Sequence, residues 1–194
     1  MLSKKIIFPA FILMVLVQLY VPVKMIFSNE SLLEGGKEFK FRTAPVDPND
    51  PFRGKYITLS FKENSTRVEN AQDWNNGDQI FVSLTQDDQG FAKILSVSKE
   101  KPTDTEDYVN ASISYIITDT VSWVSIDYPF NRYYMEESKA PDAEQAYREA
   151  ARDTAKVTYA LVVIKNGDAL VEDVLLDEVP IREVVKKRME NPEK

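Results

Sequence analysis

The sequence predicts an α+β fold, mostly antiparallel β, behind an N-terminal transmembrane helix. Three observations carry this. Residues 6–23 form an apolar run in which Gln18 is the sole polar side chain. Most of the chain after residue 38 alternates apolar and polar side chains in short runs broken by Asn, Asp, Gly and Pro, the period-two pattern of strands. One stretch, residues 141–155 (PDAEQAYREAARDTA), instead has helical spacing.

The 194-residue chain is 43% hydrophobic and 28% charged, enough to build a globular core without disulfide staples. It has no cysteine and no histidine. That removes disulfides, thiolate catalysis, zinc fingers and His-based triads; no cofactor is expected. The net charge of −7 is uneven: residues 1–27 carry Lys4, Lys5 and Lys24 and no acid, which leaves −10 on the rest. An acidic domain repels phosphates, so nucleic acid is not an expected partner.

The apolar run 6–23 would span about 27 Å as a helix, enough for the hydrocarbon core of a bilayer. Pro9 stands in its first turn, where proline is tolerated. A cleaved signal peptide needs small residues after its core. Val23, Lys24, Met25, Ile26 and Phe27 are too bulky, so an uncleaved anchor over 1–27 is expected. Lys4 and Lys5 favour a cytoplasmic N-terminus, which puts the remainder outside the cytoplasmic membrane.

Residues 28–38 read as a tether containing Gly35 and Gly36. A strand is predicted over 38–44. PVDPNDPFRGKYITLSF (45–61) follows: a turn-rich arm, then a strand with Ile57, Leu59 and Phe61 on one face and Tyr56, Thr58 and Ser60 on the other. A short strand is predicted at 66–70 and turn chemistry at 73–78. Strands are predicted at 79–85, 91–98, 108–117 and 121–128. Pro141 opens the helix, whose inner face is Ala143, Ala146, Tyr147 and Ala150. Asn166-Gly167 marks a hairpin between strands at 156–164 and 168–176. The β-rich domain thus covers 39–179. Residues 180–194 form a C-terminal tail with a basic, exposed helix at 181–189.

Two segments echo each other. Tyr56-Ile-Thr-Leu-Ser-Phe61 and Trp123-Val-Ser-Ile-Asp-Tyr128 share a pattern at an interval of 67 residues. Gly90-Phe-Ala92 and Gly167-Asp-Ala169 do so at 77. Duplication, with repeats over about 39–100 and 108–179, and convergence of alternating strands both account for this. Duplication predicts two similar β-units about an approximate two-fold axis.

The stretch 45–61 resembles the signature of the GDYXXLXY family, bacterial membrane-anchored proteins with the pattern Gly-Asp-Tyr-x-x-Leu-x-Tyr after Pro-Val-Asp-Pro and Arg. Arg53, Gly54, Tyr56 and Leu59 match; Lys55 replaces the Asp and Phe61 the final Tyr. Arg132-Tyr133-Tyr134 with Glu137 resembles the family's second motif. The resemblance covers most of 1–176. It implies an envelope location and a multi-pass membrane protein as partner, and it implies no particular activity.

Bland readings compete with these sites. Gly54 serves a strand entrance, with Arg53 and Lys55 solvated beside it. Arg132, Tyr133, Tyr134, Glu136, Glu137 and Glu144 could recognise a polar ligand through a guanidinium fork and stacking. The preferred reading is an ion pair tying the loop 129–140 to the helix. Asp47, Asn49 and Asp50, like Asp73, Asn75 and Asp78, suit turn-capping better than calcium. The expected function is therefore a membrane-anchored binding or accessory module, with the bilayer as partner through residues 6–23. The alternative is an envelope hydrolase using a serine–lysine dyad, with Lys55 or another lysine as its base, or a carboxylate pair.

Overall fold

The computed structural model describes residues 4–44, 56–153 and 155–190. Helix α1 (Lys4–Gly35) runs for 32 residues, about 48 Å at the standard rise. Its portion Phe8–Gly35 is long and apolar enough to cross a membrane. The helix does not end at Phe27: residues 28–35, expected as a tether, continue it. They can because the last turn is fixed by packing as well as by its own hydrogen bonds. Leu32 is buried, and the Gly36 N–H donates to the Leu32 carbonyl at 2.8 Å. One residue later the chain enters β1 (Lys37–Ala44).

Eleven further strands follow in order. They are β2 (Tyr56–Thr58), β3 (Ser60–Phe61), β4 (Ser65–Val68), β5 (Gln79–Gln86), β6 (Ala92–Ser98), β7 (Tyr108–Thr118), β8 (Ser122–Asp127), β9 (Arg132–Tyr134), β10 (Thr158–Lys165), β11 (Asp168–Leu176) and β12 (Val179–Pro180). Helix α2 (Ala140–Arg152) lies between β9 and β10, and α3 (Ile181–Glu190) ends the described chain. One five-stranded sheet has the order β12-β11-β10-β1-β3 and the other β4-β8-β7-β5-β6, while β2 pairs with β9 as a separate ribbon. All named ladders are antiparallel.

The segment expected as a single strand at 56–61 is interrupted at Leu59. Before it, β2 pairs with β9; after it, β3 pairs with β1. The apolar face is kept through the switch, because Ile57, Leu59 and Phe61 are all buried. The core requirement preserves the alternation while the pairing partner changes.

Two similar β-units are visible in the ladders. Thr58 pairs with Arg132 in β2–β9. Adding 67 to Thr58 and taking 67 from Arg132 gives Ser125 and Ser65, partners in β4–β8. The same relation carries the bond from Leu59 N to Asn131 O (2.9 Å) onto that from Ile126 N to Asn64 O (2.7 Å). The hairpins match as well. β5–β6 slips register between Ser83 and Leu84, leaving Leu95 as the extra residue; β10–β11 slips between Leu161 and Val162, leaving Glu172. Leu95 and Glu172 are 77 residues apart, the interval between Gly90 and Gly167.

The units exchange hairpins. β5–β6 joins β7 of the second unit, and β10–β11 joins β1 of the first. Each hairpin tip also bridges the other sheet, Phe91 to Lys40 and Gly167 to Val109. Both sheets therefore draw strands from both halves, and neither half can complete a sheet without the other.

The units meet in an aromatic knot. Phe61 and Tyr128, equivalent by the 67-residue interval, have ring centroids 6.0 Å apart, edge to face. Phe41 meets Phe61 at 5.4 Å, Tyr128 at 5.6 Å and Phe130 at 5.1 Å. Such pairs add roughly 0.5–1.5 kcal/mol each beyond burial. The Tyr128 hydroxyl donates to the Glu63 carbonyl at 3.0 Å, so its polar end is satisfied.

Helix α2 buries Ala143, Ala146, Tyr147 and Ala150, the face read from its spacing. The Tyr147 hydroxyl donates to the Ala44 carbonyl at 3.3 Å. Helix α3 corrects the expectation of an exposed tail. Ile181 and Val185 are fully buried, and Arg188 pairs with Glu149 of α2. Four-residue spacing puts these two apolar side chains on one face, which the many charges around them obscure.

The hairpin tips separate two effects of glycine. Asn166 and Gly167 have φ of 53° and 93°, the geometry of a two-residue type I′ turn. A Cβ on Gly167 would lie 2.6–2.9 Å from the Asn110 amide group, whereas one on Gly90 (φ 79°) meets nothing within 4 Å. Gly90→Ala is expected to lose about 1 kcal/mol from backbone strain alone. Gly167→Ala should lose about 2 kcal/mol or more because crowding is added. Paired denaturant melts measure the difference; equal losses would contradict the crowding.

Candidate functional site

The residues singled out in the sequence converge on the β2–β9 ribbon. Tyr56, Ile57 and Thr58 pair with Tyr134, Tyr133 and Arg132. Both strands alternate, so Ile57 and Tyr133 face inward while Arg132 and Tyr134 face out. The rings of Tyr56 and Tyr134 lie 5.4 Å apart, tilted, and the Arg132 guanidinium sits 5.0 Å from the Tyr56 centroid. A hydrogen bond with Tyr134 further favours the charged form of Arg132.

The signature divides in two. Leu59 and Phe61 are core residues, at the strand switch and in the aromatic knot. Tyr56 is half-buried in the ribbon. Arg53, Gly54 and Lys55 lie outside the described residues, as do Asp47, Asn49 and Asp50; the named lysine of the dyad reading falls there too.

Tyr133 is the buried polar centre of the site. Its hydroxyl donates to Asp173 Oδ1 at 2.9 Å and accepts from Arg182 Nε at 2.7 Å. Burial pushes its phenol up from the usual 10.0 to about 12; Asp173 adds to the push and Arg182 opposes it. Neither Asp173 on β11 nor Arg182 on α3 was marked by any local pattern. Only the need of a buried hydroxyl for partners points toward them.

A cleft of about 400 Å³ opens beside this network, between β9 and β11, with Arg132, Tyr133, Leu170, Val171, Glu172 and Arg182 on its walls. Arg182 also borders a larger groove of about 660 Å³ toward Met135, Lys139, Lys186 and Met189. The expected tie between Arg132 and the glutamates takes another form. Glu136 pairs with Lys139 at 2.5 Å within its own loop, Glu137 is exposed beside it, and Glu144 lies half-exposed on α2. Arg132 turns to phenol rings instead, because β9 holds it across from β2.

Among the described residues, no group of three acidic side chains is placed to hold a metal ion. Asp78 caps its turn, accepting the Asn75 N–H at 2.9 Å and pairing with Lys99 at 2.6 Å. Lys99 foremost, then the Asn75 N–H, holds its carboxyl below the usual range. Chemically, the ribbon and cleft supply guanidinium donors, aromatic faces and a strand edge. This is equipment for recognising a group with acceptor oxygens.

The family model of the GDYXXLXY protein matches residues 18–174. The chain belongs to the GDYXXLXY family. No curated protein and no solved structure matches it. The family match begins inside α1 and closes within β11. It therefore spans both β-units of this GDYXXLXY protein, including Tyr133 and Asp173, and stops short of Arg182. The α3 helix thus adds a cation to a network that the family match otherwise contains.

Tyr133→Phe in this GDYXXLXY protein should lose about 1–2 kcal/mol, since Asp173 and Arg182 lose a partner while the ring remains. Denaturant unfolding checks this; no change would show that the two charges close directly on each other. A pH effect follows from the phenols. Tyr133 and Tyr159, both raised to about 12 mainly by burial, hold their protons more tightly folded than unfolded. Their contribution is complete below pH 10 and falls as pH rises from about 10 to 12. Absorbance of ionised tyrosine followed alongside unfolding should show this late titration.

Proposed function

We propose that this GDYXXLXY protein is a bacterial membrane-anchored module whose β-rich domain stands outside the cytoplasmic membrane and binds a multi-pass membrane protein. No catalytic step is assigned to it. The observation carrying this reading is the junction of α1 with the domain. The helix passes from its apolar span into the last turn without a break, and that turn is packed against β10 through Gly36 and Val163. A stiff connection sets the height and orientation of the domain over the bilayer. Such control favours a partner held in the same membrane, because both surfaces then approach in two dimensions with fixed orientation. Lys4 and Lys5 ahead of the span favour the outward orientation.

Two measurements test it. The chain lacks cysteine, so Ser98→Cys gives a single reactive site on β6. A membrane-impermeant maleimide should label it in intact cells once the outer envelope is permeable. Labelling only after the cytoplasmic membrane is opened would reverse the topology. A photo-crosslinking residue at exposed Tyr134 should capture one integral membrane protein from native membranes. Capture of soluble proteins alone, or of none, would overturn the partner assignment.

A further inference from the structure

The two-fold relation makes each unit a control for the other. In the first unit the edge strands β4 and β6 approach each other, and a side chain bridges the seam. Glu63 Oε1 accepts the backbone N–H of Ile94 at 2.9 Å. Ile94 opposes Leu84, the first pair beyond the register slip of β5–β6. In the second unit the first pair beyond the slip is Val162 with Val171, so Val171 is the counterpart of Ile94. The counterpart of Glu63, 67 residues on, is Phe130, which is buried in the aromatic knot. Among the described residues, the second seam therefore lacks the carboxylate of the first. It is the 400 Å³ cleft, with Val171, Arg132 and Arg182 on its walls.

The charge around the cleft fits the missing group. Arg182 uses Nε on the Tyr133 hydroxyl, and a guanidinium carries five N–H donors in all. Arg132 stands at the opposite strand edge, over a phenol ring. Glu172 also lines the cleft; it and both arginines are exposed, so solvent screens all three charges alike. Two arginines against one glutamate on the walls leave a local excess of cationic donors in an otherwise acidic domain, while Asp173 behind them is already engaged by the Tyr133 hydroxyl.

We propose that the cleft between β9 and β11 receives an acidic side chain from an extended segment of a partner protein. Its carboxylate takes the place against Val171 that Glu63 holds against Ile94, with Arg132 and Arg182 as counter-charges. The occupant is a protein side chain because the filled counterpart is one, Glu63 reaching a strand edge from the bend between β3 and β4. This rests on the reading of the protein as a partner-binding module and names the chemistry of its contact.

The test uses the full chain, isotope-labelled and held in detergent micelles, titrated with N-acetyl-Ala-Glu-Ala-amide, its Gln analogue, and acetate. The Glu peptide should shift the Val171 amide resonance saturably, at about tenfold lower concentration than the Gln peptide, as a charged hydrogen bond warrants. Arg182→Gln and Arg132→Gln should each weaken the response about fivefold or more while the Ile94 amide stays in place as an internal check of the fold. Equal responses to Glu and Gln peptides, or shifts centred away from Val171, would overturn the proposal. Acetate binding as tightly as the Glu peptide would also overturn it, in favour of a free small carboxylate. If the Glu peptide fails while crosslinking at Tyr134, on the same cleft, still captures a membrane protein, the module reading survives and the partner is held there by a group other than a carboxylate.

Discussion

Phe41→Ala is expected to cost about 3–5 kcal/mol. Phe41 is fully buried and sits on β1, the strand through which the first unit receives the hairpin of the second. Its ring meets Phe61, Tyr128 and Phe130. The walls of the resulting cavity come from both units and are fixed by ladders on either side, so the site cannot collapse cheaply. Against a typical total of about 5–15 kcal/mol, such a loss threatens the fold itself. Denaturant melts of the full chain in detergent would measure it, with Leu95→Ala as a control. Leu95 is 65% exposed, and its truncation should stay within about 0.5 kcal/mol. A Phe41 variant that melts with the control would show that the knot does not join the units.

Gly36→Ala is expected to lose about 1–3 kcal/mol and to loosen α1 from the domain. A Cβ there would lie 2.3 Å from Val163 Cγ1, 2.7 Å from the Leu32 carbonyl oxygen and 3.1 Å from that of Ile164. Two of those atoms are backbone, one in the helix and one in β10, so relief requires moving one element off the other. Gly35→Ala is the natural comparison. Its Cβ would meet only the end of the Lys165 side chain, at 2.6 Å for Nζ, which can swing aside. Gly35→Ala should therefore be neutral or gain up to about 1 kcal/mol from helix propensity. Unfolding curves together with exchange protection of the Gly36 amide separate the two variants. Equal behaviour would mean that α1 is not held by close backbone approach. This junction also underlies the proposed function, because a loosened Gly36 variant should lose the membrane crosslink while its domain stays folded.

Much of the site was legible locally, but its wiring was not. Arg132, Tyr133 and Tyr134 stand out as aromatic and cationic side chains beside a turn. Their partners do not. Tyr133 finds Asp173 forty residues later and Arg182 on a helix that reads as a solvated tail. The α3 reading failed because Ile181 and Val185 are two apolar positions among charges, too few to outweigh composition. The tether failed for a related reason. Ser, Asn and Gly at 28–36 favour irregular structure in isolation, whereas burial of Leu32 and the close approach of Gly36 to β10 hold 28–35 in the helix.

What the sequence determined by itself was the list of elements and their inward faces. The apolar span, the alternation at 56–61 and 79–85, the alanine face of α2 and the Asn166-Gly167 turn each depend on neighbours a few residues away. The intervals of 67 and 77 residues were legible too, but left duplication and convergence of alternating strands equally open. Tertiary structure alone decided that the two units trade hairpins, that Leu59 switches ladders, and that one seam is bridged by Glu63 while, among the described residues, no such carboxylate bridges the other beside Arg132 and Arg182. The reason is physical. Alternation specifies which side of a strand is buried, but the backbone groups that choose a neighbouring strand are the same at every residue. The choice passes to long-range packing, here of Phe41, Phe61, Tyr128 and Phe130, which no local window contains.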